Sequence, residues 1–270
     1  MPASFDNACD CHVHIFDDAY PLAPTATFKP PHAPVADYRE VQRQLQFTRV
    51  VIVQPTGYAF DNRCTLGAVE QLGPGARAIV VVPADTPDVE LARMHAAGAR
   101  GVRFMMLPGG VLPWSSLESI AARIAPLGWN INLQLDGREL PQHEATLRKL
   151  PCPLVIDHIG KFLGPTTPQD DGFLALRRLL DAGNCWIKLS APYESSRTGS
   201  PAFEDVALLA RTLASSYPDR CLWASNWPHP NVKPQPDNKP LLDWMLACTD
   251  HNEATQRKIL VDNPARLYGF

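Results

Sequence analysis

Eight short apolar runs punctuate the chain at near-regular spacing, and segments with helical patterning lie between them. The runs are Ala8–His14, Val50–Gln54, Ala78–Val82, Gly101–Met105, Asn130–Leu135, Leu154–His158, Cys185–Ser190 and Cys221–Ser225. Asp37–Gln46, Pro87–Ala97, Leu117–Ala125, Gly172–Ala182 and Ala202–Ser216 space their apolar residues as one face of a helix. Strands alternating with helices predict parallel β/α units, because a parallel pair needs a crossover and a helix supplies it. Eight units in 270 residues have the size of a (β/α)8 barrel, read here as one α/β domain over 1–270. An open doubly wound sheet is the alternative, but no Gly-x-Gly-x-x-Gly follows the first strand.

Composition narrows the partners. With 45% hydrophobic and 20% charged residues and a net charge of −3, nothing concentrates positive charge as nucleic-acid or membrane binding would require. No apolar stretch approaches the ~20 residues that span a bilayer. Met1 to Ala8 lacks a basic region followed by an apolar run, so no leader peptide is expected. The seven cysteines are scattered and odd in number, without C-x-x-C spacing. They read as reduced small hydrophobes, and a reducing cytoplasm is the expected compartment. The 27 prolines cluster at 21–34, 108–113, 151–168 and 228–240, marking long connections of the kind that carry function.

The first strand ends in Asp10-Cys11-His12-Val13-His14. Strict alternation would place Asp10, His12 and His14 on one face and Cys9, Cys11 and Val13 on the other. Two imidazoles together at a strand end suit a divalent metal or a polarised carbonyl. In the fifth strand, Asn130, Asn132, Gln134 and Asp136 alternate with apolar residues. That predicts a polar stripe lining the barrel interior, with Ile131, Leu133 and Leu135 against the helices. Buried amides bonded to one another would leave the same pattern.

Active sites of such barrels sit at the C-terminal ends of the strands. There the chain presents His12 and His14, Gln54, Arg103, Gln134, His158 with Lys161, Tyr193 with Arg197, and Asn226 with His229. Four of the eight histidines fall at these ends or just beyond. One His-x-His is often structural, but a third histidine ending the sixth strand favours a site. Arg103 and Lys161 at strand ends favour an anionic substrate group over surface salt bridges. Arg197 lies on a loop, where solvation is the simpler explanation.

These motifs resemble the amidohydrolase superfamily: Asp10-x-His12-x-His14, His158 after the sixth strand, and Asn226-Trp227-Pro228-His229 after the eighth. Leu107-Pro108-Gly109-Gly110, Asp157-His158-x-Gly160-Lys161-Phe162 and Tyr193-Glu194-Ser195-Ser196-Arg197 extend the resemblance to the branch of 2-pyrone-4,6-dicarboxylate lactonases and galactarolactone isomerases. The resemblance implies a distorted (β/α)8 TIM barrel and acyl transfer at a lactone carbonyl. The implied substrate is a small carboxylated lactone. The implied catalytic set is His12, His14, His158, Asn226 and His229. Of these, His12, His14 and His158 polarise the carbonyl, and His229 serves as acid or base. Arg103 and Lys161, with Arg197, would hold a substrate carboxylate. Gln54, Gln134 and Tyr193 would supply neutral hydrogen bonds.

Two departures from the superfamily pattern bear on a metal. Asn226 stands where a carboxylate usually ligates metal and takes a proton, and no lysine ends the fourth strand to bridge two ions. A binuclear site is therefore not expected, and the resemblance, to a branch with members that work without metal, implies no obligatory cofactor. One divalent ion such as zinc on His12, His14 and His158 remains the alternative. Attack by water makes a lactonase, the leading expectation; attack by a substrate hydroxyl makes a lactone isomerase. A metal-dependent decarboxylase and a non-catalytic binding barrel are the remaining readings.

Overall fold

The structure, a computed structural model, describes residues 5–230 and 232–270. Its strands are β1 (Cys9–Val13), β2 (Arg49–Val53), β3 (Ala76–Val80), β4 (Ala99–Met105), β5 (Asn130–Gln134), β6 (Leu154–Ile156), β7 (Cys185–Ser190) and β8 (Cys221–Ala224). They form one sheet in sequential order, with each consecutive pair parallel. Between them run α1 (Val35–Leu45), α2 (Arg63–Leu72), α3 (Asp88–Ala96), α4 (Leu117–Ile124), α5 (Leu140–Leu147), α6 (Asp171–Asp181) and α7 (Glu204–Ser216). After β8 come α8 (Asn238–Cys248), α9 (Glu253–Arg257) and α10 (Asn263–Tyr268). This is a single-domain (β/α)8 barrel, as the alternating pattern predicts.

The sheet closes at its C-terminal end, where Asn226 N–H donates to His12 O at 3.0 Å and His14 N–H to Trp227 O at 2.8 Å. Closure there brings the His-x-His end of β1 against the loop after β8. The opposite end is plugged by Leu267 and Tyr268, which pack with Cys9, Cys11, Ile79 and Trp186 inside the barrel. Outward residues such as Val50, Ile52, Val80, Ile131, Leu133 and Ile187 form the larger core beneath the helices. Each fully buried aliphatic side chain there contributes ~1.5–3 kcal/mol of transfer free energy. The predicted parity of β5 holds.

The parity of β1 does not. Asp10 pairs with Val50, whereas Val13 pairs with Ile52, so β1 carries one residue more than β2 across that interval. Such a bulge turns two successive side chains toward one side. Cys11 joins the interior cluster, and His12 also turns inward, toward Asp157 and Lys188. Asp10 turns outward, where Tyr38 O–H of α1 donates to it at 3.3 Å and the Ser225 hydroxyl at 2.5 Å. The acid is thus separated from the two imidazoles it was expected to accompany, and it ties β8 to α1.

Candidate active site

At the C-terminal mouth of the barrel lies a cavity of about 210 Å³, lined among others by His14, Arg103, Gln134, His158, Lys161, Glu194 and Asn226. A larger groove of about 960 Å³ runs along the barrel's flank by α2 and α3. It contains none of the strand-end histidines, so the chemistry belongs to the mouth.

The cavity rests on a buried ion network. Lys188 Nζ, fully buried, lies 3.0 Å from Asp157 Oδ1, 3.1 Å from His12 Nδ1 and 2.5 Å from Asn132 Oδ1. Three acceptors require three N–H donors, which only the ammonium form has. Asn132 Nδ2–H donates to Asp157 Oδ2 at 2.8 Å, so both carboxylate oxygens are engaged. Burial pushes Asp157 up, but the Lys188 charge holds its carboxyl well below the ordinary value. With His12 Nδ1 accepting from the lysine, its proton sits on Nε2, facing His14 Nε2 at 3.2 Å. His14 completes the chain by donating Nδ1–H to Val53 O at 2.8 Å. Burial, reinforced by Lys188 at His12 and by Arg103 at His14, keeps both rings neutral, with His14 lowered to about 3.

Arg103 spans the cavity wall. Its Nη1 donates to Gln54 O and its Nη2 to Gln134 Oε1, each at 2.9 Å. Its buried Nε has no partner among the described residues.

The loop after β6 is strained. His158, Ile159, Gly160 and Lys161 all have positive φ, at 53°, 59°, 87° and 44°. Each of the three non-glycine residues costs ~1–2 kcal/mol in that region, a strain typical of functional sites. It places both His158 and Lys161 on the cavity wall. His158 Nδ1 meets Ser190 Oγ at 2.9 Å, and burial lowers the ring to about 4.

Across the cavity, Lys161 Nζ donates to Glu194 Oε2 at 2.5 Å, and Asn226 Nδ2 lies 3.3 Å from Glu194 Oε1. Asn226 also donates to Tyr193 Oη at 3.0 Å, and Tyr193 O–H in turn donates to His229 Nδ1 at 2.7 Å. His229 then donates Nε2–H to Asn238 Oδ1 at 2.9 Å. Both nitrogens of His229 are therefore engaged, and neither His229 nor Tyr193 is among the residues that line the cavity; Asn226 links them to it.

His14, Arg103, Gln134, His158, Lys161 and Asn226 thus line the cavity, His12, Tyr193 and His229 stand behind them through hydrogen bonds, and the other two lie apart. The Gln54 amide turns away, donating to Ala59 O and Asp61 O and accepting from the Thr65 hydroxyl; only its carbonyl serves the site, by holding Arg103. Arg197 is exposed and lines a separate cavity beside Phe162 and Leu209. Conversely, Asp157, Lys188 and Glu194 belong to the site although sequence reasoning gave them no role, and Asn132 of the predicted interior stripe joins them. A lysine at an inward position of β7, between Trp186 and Ser190, was the signal available for one of them.

The amidohydrolase family profile matches residues 9–270. The chain belongs to the amidohydrolase family. It is 35% identical over 272 residues to D-galactarolactone isomerase of Agrobacterium fabrum, covering 99% of this chain and 92% of that protein. Identity to 2-pyrone-4,6-dicarboxylate hydrolase of Comamonas testosteroni is also 35%, covering 97% and 90%. A solved structure of a probable 2-pyrone-4,6-dicarboxylic acid hydrolase from Acinetobacter baumannii, with citric acid bound, superposes with a TM-score of 0.87 at 25% identity, covering 98% and 100%. As a member of the amidohydrolase family, the chain is an enzyme.

Amidohydrolases often hold a divalent metal on strand-end histidines. Here His12, Asp157 and His158 bring ligand atoms within 4.8 Å of one another. The Nε2 atoms of His12 and His14 are also spaced as two ligands of one cation would be. The surroundings fit a cation poorly, however. Asp157 is already neutralised by Lys188, Asn226 supplies an amide in place of a carboxylate, and Arg103 presses its charge on His14. Among the described residues no helix is long and apolar enough to cross a membrane.

Proposed function

We propose that this enzyme opens the ester bond of a small carboxylated lactone by hydrolysis, without an obligatory metal. The observation that carries the reading is the cavity wall itself. Arg103 and Lys161 outnumber the single carboxylate of Glu194, and neutral His14 and His158 line the same cavity. A small cavity with a positive balance suits an anionic substrate. The likeness to galactarolactone and pyrone-dicarboxylate enzymes, and to a structure holding citric acid, supports that substrate class.

In this reading Arg103 and Lys161 hold the substrate carboxylate, with Gln134 fixing the guanidinium plane. Ser190 O–H donates to His158 Nδ1, which leaves the other ring N–H to polarise the lactone carbonyl. The Lys188 network holds His12 and His14 beneath the reacting group and keeps them uncharged. His229 orients Tyr193 rather than exchanging protons with substrate. Asn226 favours a second reading, in which a substrate hydroxyl replaces water and one lactone becomes another, because the usual water-activating carboxylate is missing from that position.

The test is proton release in weakly buffered solution with D-galactarolactone, 2-pyrone-4,6-dicarboxylate and 4-sulfomuconolactone, the last because a 4-sulfomuconolactone hydrolase of Hydrogenophaga intermedia is 34% identical over 96% of this chain. Ring opening to an acid releases one proton per turnover; isomerisation releases none. Acidification with at least one lactone is the expected result. A new lactone forming at constant pH would establish the isomerase, and no change in any of the three would refute both.

A further inference from the structure

The end of β8 offers an amide where acyl-transfer chemistry needs a proton acceptor, and the four strand-end histidines do not replace it. Three of them are held neutral by burial at values of about 3 to 4, and the fourth, His12, accepts from Lys188. Glu194 is the one acidic side chain lining the cavity among the described residues. It reaches the cavity because Ala191, at φ 48°, turns the chain sharply after β7 into the short helical turn Pro192–Glu194. Its Oε1 lies 3.3 Å from Asn226 Nδ2, so a carboxylate from the seventh loop stands beside the place where the eighth strand lacks one.

We infer that Glu194 is the general base of this site, accepting the nucleophile's proton and returning it to the leaving ring oxygen. The inference rests on the lactone reading. The nucleophile's oxygen bonds to the lactone carbonyl carbon while its proton passes to a Glu194 oxygen. The ring C–O bond then breaks, and the same proton moves from the Glu194 carboxyl to the departing alkoxide. The sequence balances whether the nucleophile is water or a substrate hydroxyl. Burial pushes Glu194 up, but the charges around it hold the carboxyl below its ordinary value, Lys161 and Arg103 being the ones that stay cationic at neutral pH, so it enters the cycle ionised. Lys161 holds Oε2 at 2.5 Å, whereas Oε1 accepts only the longer, neutral contact from Asn226 at 3.3 Å, so Oε1 is the oxygen that takes the proton.

The experiment compares wild type, Glu194→Gln and the double variant Glu194→Gln/Asn226→Asp on whichever of the three lactones wild type turns over. The base role predicts a kcat loss of about 10²–10⁴-fold in Glu194→Gln with KM nearly unchanged. The double variant, which exchanges carboxylate and amide across their contact, is expected to regain at least about tenfold of that loss. Formate restores part of the turnover of Glu194→Ala. A Glu194→Gln enzyme within about threefold of wild type, or a loss that neither the exchange nor formate relieves, overturns the inference. If wild type turns over none of the lactones, the lactone reading fails first and this inference falls with it.

Discussion

Replacing Lys188 with methionine tests whether the buried ion network is what holds the cavity floor. Methionine keeps most of the stem's volume, so the lost charge dominates over lost packing. Asp157 would remain fully buried with Asn132 as its main partner, since the ammonium 3.0 Å away would be gone. Removing one member of a buried ion pair costs about 3–5 kcal/mol, because the other charge stays behind uncompensated. At roughly 2–4 °C per kcal/mol for a chain of this size, Tm falls by about 10 °C. Removing both charges in Lys188→Met/Asp157→Asn should recover at least half of the loss. The deficit also depends on pH. Without the ammonium, burial raises the Asp157 carboxyl above its unfolded value. A carboxyl raised in the folded state favours folding at low pH and loses that advantage as pH climbs through its folded pKa. The gap between variant and wild type is therefore wider at pH 8 than at pH 5. Thermal and urea unfolding at both values measure it. A single variant melting within about 2 °C of wild type at both pH values refutes the reasoning.

Three further outcomes follow from the site. Arg103→Met should raise KM for carboxylated lactones about ten- to a hundredfold, the worth of a charged hydrogen bond; Arg197→Ala, whose side chain lies outside the cavity, should leave KM unchanged in the same steady-state assay. His14, His158 and His229 are lowered to about 3, 4 and 4 from 6.5. The unfolded chain thus binds more protons below pH 6.5, and stability falls between there and about pH 4 by ~1.4 kcal/mol per pH unit for each ring. Urea titrations at pH 7 and pH 5 should differ by several kcal/mol, and coincident curves would contradict it. Dialysis against EDTA should leave turnover unchanged, with metal analysis of the active protein substoichiometric; a chelator-sensitive enzyme would make His12, His14 and His158 ligands after all.

The barrel was legible because each strand is a short apolar run and each crossover a helical pattern, both local signals. Strand ends then told which residues gather at the mouth, and His14, Arg103, Gln134, His158, Lys161 and Asn226 do line the cavity. Position along a strand does not fix where a side chain points, which is why Gln54 gave its carbonyl rather than its amide. The bulge in β1 arises from register against β2, a tertiary property, so alternation alone placed Asp10 with the wrong company. Lys188 and Asp157 lie 31 residues apart in sequence, and only the β6–β7 register, which sets Ile156 beside Ile187, makes them a pair. Glu194 depended on a left-handed turn at Ala191, where no glycine announced it.

The central claim is that water attacks a lactone carbonyl in this cavity, and mass spectrometry of the product formed in H₂¹⁸O tests it most directly. The account predicts a ring-opened acid carrying one ¹⁸O in its new carboxylate, at a rate that depends on Glu194. An unlabelled product, or no product from any of the three lactones, would contradict it.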